Sequence, residues 1–253
     1  MRLPPVVLDL ARRVAGSRQL GQLVRAEPVL AAVRAAGGGE LLDVGSGGLG
    51  LADFLDASWH VTAVDTSFDD YGLWRRSAPS TRARRVVGDV RALPFGDRSF
   101  DLVVALDVLE HVAPGDRAAA LAELARVARR RVVVAAPAGA PALAADRGLA
   151  ASLSAPPPWL EEHLANGLPA PADLCAPLAG FGSVRVAGNE SCSAHVTVTR
   201  RELSVAWFVP TRVAARVLAW GLARDAAWAR RGLRRVRGLD RPPVYRTVVI
   251  LDL

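Results

Sequence analysis

Short apolar runs alternate with helical patterns through the middle of the chain. The apolar runs are typical of buried strands, and they cover residues 40–44, 60–65, 84–89, 100–107 and 131–137. The helical patterns lie between them, at residues 51–57, 69–77 and 117–129. Short apolar strands that alternate with helices are typical of βαβ units, whose strands form a buried parallel sheet.

The N-terminal residues have a helical pattern of their own. Residues 5–36 contain two short helical stretches, and the second has its apolar face at Val29, Leu30 and Val33. Three consecutive glycines at 37–39 end this pattern, because glycine is a poor helix former. We expect these helices to lie over the end of the sheet.

The C-terminal half begins with a break in the alternation. Residues 138–172 are rich in alanine and proline, which predicts a loop that leads into a short helix at 159–166. A further helix is predicted at 173–180, and strands at 183–187 and 246–253. Between these last two strands the pattern is mostly helical.

These patterns together predict a doubly wound, mostly parallel α/β sheet of seven strands. We assign residues 40–190 and 246–253 to a Rossmann-like domain. Residues 1–39 are then an N-terminal helical cap, and residues 191–245 a helical, arginine-rich insertion before the last strand.

The composition is that of an ordered protein, and it argues against several kinds of site and partner. The chain has 253 residues, of which 51% are hydrophobic and 23% charged, and its 32 basic residues are all arginine. Aromatic residues are not interleaved with the arginines as they are in proteins that bind single-stranded nucleic acid, so we do not expect a nucleic-acid partner. Cys175 and Cys192 have no C-x-x-C spacing, so we predict neither a metal site nor a disulfide framework. No apolar run reaches the ~18 residues of a membrane span, and we predict a cytoplasmic protein.

A glycine-rich stretch follows the first predicted strand. Gly45, Gly47 and Gly50 have G-x-G-x-x-G spacing, which is typical of a turn that lets a nucleotide approach the main chain. Asp65 ends the second strand, twenty positions after Gly45. A carboxylate there can bind ribose hydroxyls; alternatively, Asp65 or Thr66 caps the helix that follows. A nicotinamide dehydrogenase would have the same set of residues.

Three further motifs distinguish the cofactor. Asp43 precedes the glycines, Gly88-Asp89-Val90 ends the third strand, and the segments 93–104 and 106–112 surround the fourth strand. With these motifs, residues 40–137 closely resemble the class I S-adenosylmethionine-dependent methyltransferases of the type 11 group.

The resemblance implies a binding site for S-adenosylmethionine. Its residues would be Asp43, Gly45, Ser46, Gly47, Asp65, Thr66, Asp89, Val90 and Asp107. The glycine loop would hold the methionine end and the acid of the second strand the ribose. The acid of the third strand would bind the adenine amino group, and the segment 107–111 would line the sulfonium end. Many members of this group have glycine where this chain has Leu49, so the path of the loop is expected to differ here.

A second resemblance concerns the acceptor. The segment 159–169, Phe181-Gly182, Asn189 and the segment 243–246 are similar to methyltransferases that accompany glycosyltransferases in bacterial polysaccharide gene sets. This resemblance implies a sugar hydroxyl on a nucleotide-linked or lipid-linked glycan as the acceptor.

Histidines are the candidates for removing a proton from such a hydroxyl, because imidazole titrates near neutral pH. His163 has Glu161 and Glu162 beside it on a predicted helix, where it is either an oriented base or part of a solvated face. His111 follows the fourth strand at the edge where ligands bind, and it either catalyses or orients the loop. We select His163, His111 and Glu162 as catalytic residues, and we expect His60 at the surface.

The arginine-rich insertion suggests a partner. Arginines cluster at 200–241, where the apolar positions include Trp207, Trp220 and Trp228. They form either a solvated helical cap with a tryptophan core, or a surface for phosphate, sugar or the anionic inner face of a membrane. We expect S-adenosylmethionine-dependent O-methylation of a sugar-containing or lipid-linked acceptor. The alternatives are a small-molecule methyltransferase of secondary metabolism and a non-catalytic binding protein of the same fold.

Overall fold

Seven strands and six helices are present in the residues that the computed structural model describes, which are 20–47, 50–68, 82–203 and 241–253. The strands are β1 (Gly39–Val44), β2 (Trp59–Asp65), β3 (Ala83–Val87), β4 (Phe100–Leu106), β5 (Ala128–Pro137), β6 (Ser183–Ser191) and β7 (Val244–Asp252). The helices are α1 (Leu20–Ala36), α2 (Arg117–Val127), α3 (Gly139–Ala151), α4 (Pro158–Asn166), α5 (Pro171–Cys175) and α6 (Cys192–Leu203).

The strands form one sheet in the order β3-β2-β1-β4-β5-β7-β6. Strands β1 to β5 are parallel to one another, and β7 is antiparallel to both β5 and β6. The chain runs outwards from β1 to β3 and then returns to β4 on the other side of β1. This confirms the predicted doubly wound, mostly parallel sheet. Ligands bind in such sheets at the carboxyl ends of the strands where the order reverses, here between β1 and β4.

The sheet is buried on both faces, which explains the continuous apolar runs of its central strands. On one face Leu42 and Val103 pack in a cluster with Leu121 of α2. On the other face Leu41 and Leu102 pack with the apolar side of α1. That side of α1 consists of the predicted residues Val29, Leu30 and Val33, which are fully buried. The described part of the N-terminal segment is therefore held on the sheet.

Two segments differ from the sequence prediction. Residues 138–158 were expected to form a loop, but Gly139–Ala151 is a helix. Alanine is the strongest helix former, and Pro141 lies in the first turn, where its missing N–H costs no hydrogen bond. The helix predicted at 51–57 is only a 3₁₀-helix, Leu51–Phe54. It stops early because the Asp56 carboxylate accepts a hydrogen bond from the Ser58 amide at 2.9 Å, which forms a local turn.

Other boundaries are shifted, and some predictions fall outside the described residues. The helix predicted at 173–180 is the shorter Pro171–Cys175. The predicted helix at 69–77, the first N-terminal helical pattern and residues 204–240 of the insertion lie outside the part of the chain that the structure describes. In the described part, no helix combines the length and apolarity needed to cross a membrane.

Candidate functional site

Two glycines of the loop after β1 have different surroundings. Gly45 and Gly47 have φ values of +68° and +53°, which L-residues with side chains rarely adopt. A Cβ on Gly45 would lie 2.3 Å from Cγ2 of Val108, so a side chain there would collide with the segment after β4. A Cβ on Gly47 would meet no atom of the described residues within 4 Å. Gly45 therefore packs the loop against the protein, whereas the space beside the Cα of Gly47 is not filled by the described residues.

Asp43 lies beneath this loop and holds it closed. Its side chain is buried, and its Oδ2 accepts a hydrogen bond from the Leu51 amide at 2.7 Å. A Cβ on Gly50 would lie 2.5 Å from the same oxygen, so the loop requires glycine there. Burial raises the pKa of Asp43 to about 7; the Leu51 hydrogen bond opposes this shift and the nearby Asp65 adds to it. Leu49 lies outside the described residues.

Asp65 connects the end of β2 to the same loop. Its Oδ2 accepts a hydrogen bond from the Gly47 amide at 2.8 Å. Its Oδ1 accepts hydrogen bonds from the Ser67 amide at 3.2 Å and from the Thr66 hydroxyl at 3.4 Å. The carboxylate is half-buried and makes the turn contacts of the capping interpretation. The carboxylate also lies next to the main chain at Gly47, as the ribose interpretation requires.

Asp89 and Val90 follow β3. The Asp89 carboxylate forms a two-pronged ion pair with Arg91, with 2.6 Å between Oδ2 and Nη2 and 3.0 Å between Oδ1 and Nε. Hydrogen bonds from Arg91 hold the pKa of Asp89 below its usual value. Val90 is buried in the core cluster. A ligand group at Asp89 would therefore compete with an arginine that the sequence analysis did not associate with the site.

Asp107, just after β4, is held by two arginines. Arg246 of β7 contacts both carboxylate oxygens, at 2.8 and 3.1 Å, and Arg25 of α1 contacts Oδ2 at 3.0 Å. Burial alone would raise the pKa of Asp107, but Arg246 and Arg25 outweigh it and hold this pKa well below its usual value. Arg246 also pairs with the buried Glu190. The sequence indicated Arg246 only as part of the segment 243–246, and it gave no sign of the ion pair.

Two histidines meet beside this segment, each held by a carboxylate. The Nδ1 of His111 lies 2.6 Å from Oε2 of Glu162, and the Nδ1 of His163 lies 2.9 Å from Oδ2 of Asp146. The two imidazole rings are 5.2 Å apart between centroids. The sequence placed Glu162 with His163; this pairing is wrong, because Glu162 reaches His111 from α4. The partner of His163 was missed because Asp146 lies on α3, which was expected to be a loop.

Glu110 completes the cluster of His111 and His163. Its side chain is fully buried, and neither carboxylate oxygen has a hydrogen-bond partner among the described residues other than the backbone amide of Glu110 itself. One potential ligand atom from each of the three residues lies within 4.8 Å of the others. Burial and the nearby Asp107 raise the pKa of Glu110 well above its usual value. Burial and His163 lower the pKa of His111, although Glu162 opposes them. Glu110 was not among the predicted site residues, because a single glutamate in a sequence is not by itself a motif.

The remaining two histidines differ in environment. His60 is exposed, as predicted, and its Nδ1 lies 3.5 Å from Oε1 of Glu40. His195 is buried and stacks on Tyr245, with 3.5 Å between the ring centroids. The Tyr245 hydroxyl donates a hydrogen bond to Oδ1 of Asp146 at 2.8 Å. Asp146 thus connects β7 to the histidine pair.

Comparisons with known proteins identify the family. Residues 42–136 match the family described as methyltransferase domain. Over 161 residues the chain is 33% identical to the demethylmenaquinone methyltransferase of Thermobifida fusca, an alignment that covers 61% of this chain and 67% of that protein.

Solved structures share the fold. A candidate methyltransferase from an antibiotic biosynthesis pathway of Anabaena variabilis is 15% identical, with a TM-score of 0.53 over 89% of this chain and 98% of that one. The Haemonchus contortus phosphoethanolamine N-methyltransferase 2, solved with phosphomonomethylethanolamine and S-adenosylhomocysteine, is 16% identical. Its TM-score is 0.52 over 90% of this chain and 52% of that one. The chain therefore belongs to the class I S-adenosylmethionine-dependent methyltransferases, and S-adenosylmethionine is its cofactor.

Proposed function

We propose that this methyltransferase methylates a hydroxyl oxygen of a sugar-containing or lipid-linked acceptor. The observation that carries the proposal is the pair of carboxylate-held histidines, His111 and His163, beside the segment after β4. A hydroxyl must lose its proton as it is methylated, and an oriented imidazole is suited to accept it.

The residues of the loop and strand ends fit the cofactor. The space beside the Cα of Gly47 is not filled by the described residues and adjoins the Asp65 carboxylate, as a ligand with a ribose would require. We assign the methionine end to Gly45, Ser46 and Gly47, with Asp43 holding the loop from below.

The nucleoside half of the cofactor falls to the ends of β2 and β3. In our assignment Asp65 and Thr66 bind the ribose, and Asp89 and Val90 contact the adenine. When bound, the cofactor supplies a methyl group that its positive sulfur has already activated.

Asp107 is assigned a different role from that implied by the resemblance. Its two carboxylate oxygens are already engaged by Arg246 and Arg25. We propose that it fixes the end of β4 and orders the segment that leads to His111. Buried, hydrogen-bonded ion pairs of this kind hold a backbone in one arrangement.

At the acceptor end, His111 has the geometry of a general base. About a third of its side chain is exposed, at 35%, so a substrate can reach it. The Nδ1–H donates to Glu162, which leaves Nε2 with a lone pair. Burial and His163 lower the pKa of His111, which favours the neutral imidazole that can accept a proton. In our proposal the hydroxyl proton passes to Nε2, and Glu162 stabilises the imidazolium that forms.

His163 is a positioning residue in this proposal. It is 3% exposed and held by Asp146, so an acceptor would reach it less readily than His111. From the sequence, His163 was the first choice as catalytic residue and His111 the second; the proposal reverses this order. The contribution of His163 is to pack against the His111 ring and lower the pKa of that imidazole.

A methyl-transfer assay with tritium-labelled S-adenosylmethionine tests the proposal. The acceptors are nucleotide-linked sugars, polyprenyl-linked glycans, small phenols, and demethylmenaquinone, the acceptor in the name of the 33% identical relative. We expect label in a glycan, released with the methylated sugar after acid hydrolysis. Label in demethylmenaquinone alone, or in small phenols alone, would refute the glycan acceptor. The second candidate, a demethylmenaquinone-type acceptor, is favoured by the likeness to that relative.

We predict that the arginine-rich insertion binds the anionic membrane surface at which a lipid-linked acceptor would lie. Its residues 204–240 lie outside the described part of the chain. Flotation with vesicles containing anionic lipid tests it; we expect salt-sensitive binding, and no binding at low salt would end the membrane version.

A further inference from the structure

We propose that Glu110, His111 and His163 bind a divalent first-row transition-metal cation. The three side chains offer two imidazole nitrogens and one carboxylate, and one potential ligand atom from each lies within 4.8 Å of the others. Ligands about 2.1 Å from a tetrahedral metal are roughly 3.4 Å apart. The three groups therefore need to approach one another by up to about 1.4 Å to bind one cation.

The contacts of the two histidines favour the tautomer that leaves Nε2 available to a metal. The Nδ1 of His111 is engaged by Glu162 and the Nδ1 of His163 by Asp146. No hydrogen-bond partner is present for either Nε2 among the described residues. A carboxylate on the far nitrogen of a metal-binding histidine fixes the ring and makes the other nitrogen a better ligand. Both histidines have such a partner.

Glu110 is an independent indication of a missing ligand. Its side chain is completely buried, and neither oxygen has a hydrogen-bond partner among the described residues other than its own backbone amide, which is rare for a buried polar group. A carboxylate in that position is costly unless a positive group faces it. Arg25 and Arg246 lie near enough to lower the pKa of Glu110, but their ion pairs are with the neighbouring Asp107, and Glu110 forms no ion pair in the described part of the chain.

The donor set selects the kind of cation. Two imidazoles and one carboxylate form a set that binds zinc and other first-row transition metals and leaves coordination positions open. Magnesium and calcium prefer sites made of oxygen atoms. An open position at this edge would accept an acceptor oxygen, and in that state His111 is a ligand and the cation lowers the pKa of the hydroxyl. This consequence rests on the proposed function, whereas the metal site itself does not.

The test is a metal titration of the full-length, tag-free chain after treatment with a chelator. Cobalt(II) is the probe because its visible absorption reports coordination by nitrogen and oxygen, and zinc then displaces it. We expect one cation per chain by calorimetry. Glu110→Gln and His111→Ala should each weaken binding at least ~100-fold, since each removes a ligand. The metal titrations contain no acceptor, so the measured metal affinity does not depend on the outcome of the glycan assay.

Two matched controls separate the site from surface binding. Glu162→Gln should weaken binding about 10- to 100-fold, as expected for loss of the carboxylate behind a ligand. Glu161→Gln, its exposed neighbour on α4, should not change it. His60→Ala, which removes an exposed histidine, should also leave binding unchanged. Absence of stoichiometric binding overturns the proposal, as does equal affinity in the wild-type chain, Glu110→Gln and His111→Ala while these variants retain the wild-type circular dichroism.

Discussion

Replacing Asp43 by asparagine should remove a pH dependence of stability that the wild-type protein has. Asp43 is 3% exposed, and burial raises its pKa from 3.8 to about 7. Between these two pH values the folded protein retains a proton that the unfolded chain has lost. The free energy of unfolding contributed by this group is therefore complete below pH 4, falls as the pH rises, and is lost above pH 7.

The size of the effect follows from the difference between the two pKa values. That difference, from 3.8 to about 7, corresponds to about 4 kcal/mol at about 1.4 kcal/mol per pH unit. The asparagine side chain keeps an oxygen that can accept the Leu51 hydrogen bond, but it has no charge to bury. Asp43→Asn should thus be closest to the wild type near pH 4.5. Relative to the wild type it should gain up to about 4 kcal/mol by pH 8.

Urea denaturation followed by tryptophan fluorescence measures this difference, without cofactor, at several values between pH 4.5 and 8.5. Subtracting the wild-type curve from that of the variant cancels the titration of the groups that do not interact with Asp43. Asp97→Asn, at a side chain that is 75% exposed, is the control and should not show this profile. If the difference between Asp43→Asn and the wild type changes by less than about 0.5 kcal/mol over this range, the assignment of a buried, proton-retaining Asp43 is wrong.

Two further predictions concern the proposed cofactor site. Gly45→Ala should destabilise the protein more than Gly47→Ala. The new Cβ would lie 2.3 Å from Val108 Cγ2 at position 45 but would meet nothing at position 47, where only the positive φ costs about 1 kcal/mol; thermal unfolding measures both, and equal losses would contradict the distinction. Asp65→Ala and Asp89→Ala should each weaken S-adenosylhomocysteine binding about 10- to 100-fold, which corresponds to about 1.5–3 kcal/mol for a hydrogen bond to a charged group. Calorimetry measures the affinity, and an unchanged affinity in either variant would remove that residue from the proposed site.

The strands could be predicted because burial on both faces requires an uninterrupted apolar run. Residues 102–105 of β4 are fully buried, and their sequence, Leu-Val-Val-Ala, permits few other interpretations. The glycine loop was also predictable, because its spacing reflects a local backbone requirement at Gly45 and Gly47. Both signals are local, so they need no knowledge of where distant segments pack.

The histidine cluster could not be predicted, because its partners are set by how distant helices pack. Asp146 lies seventeen positions before His163 in sequence, on a segment whose prolines indicated a loop. Once that segment is helical, α3 and α4 pack together and bring Asp146 to the Nδ1 of His163. The same packing directs Glu162 away from its sequence neighbour and towards His111. A carboxylate next to a histidine in sequence is thus a weaker guide than the face of the helix on which each lies. In this chain the pairing of His163 with Asp146 depends on the helical conformation of residues 139–151, and the pairing of His111 with Glu162 depends on the face that α4 turns towards the segment after β4.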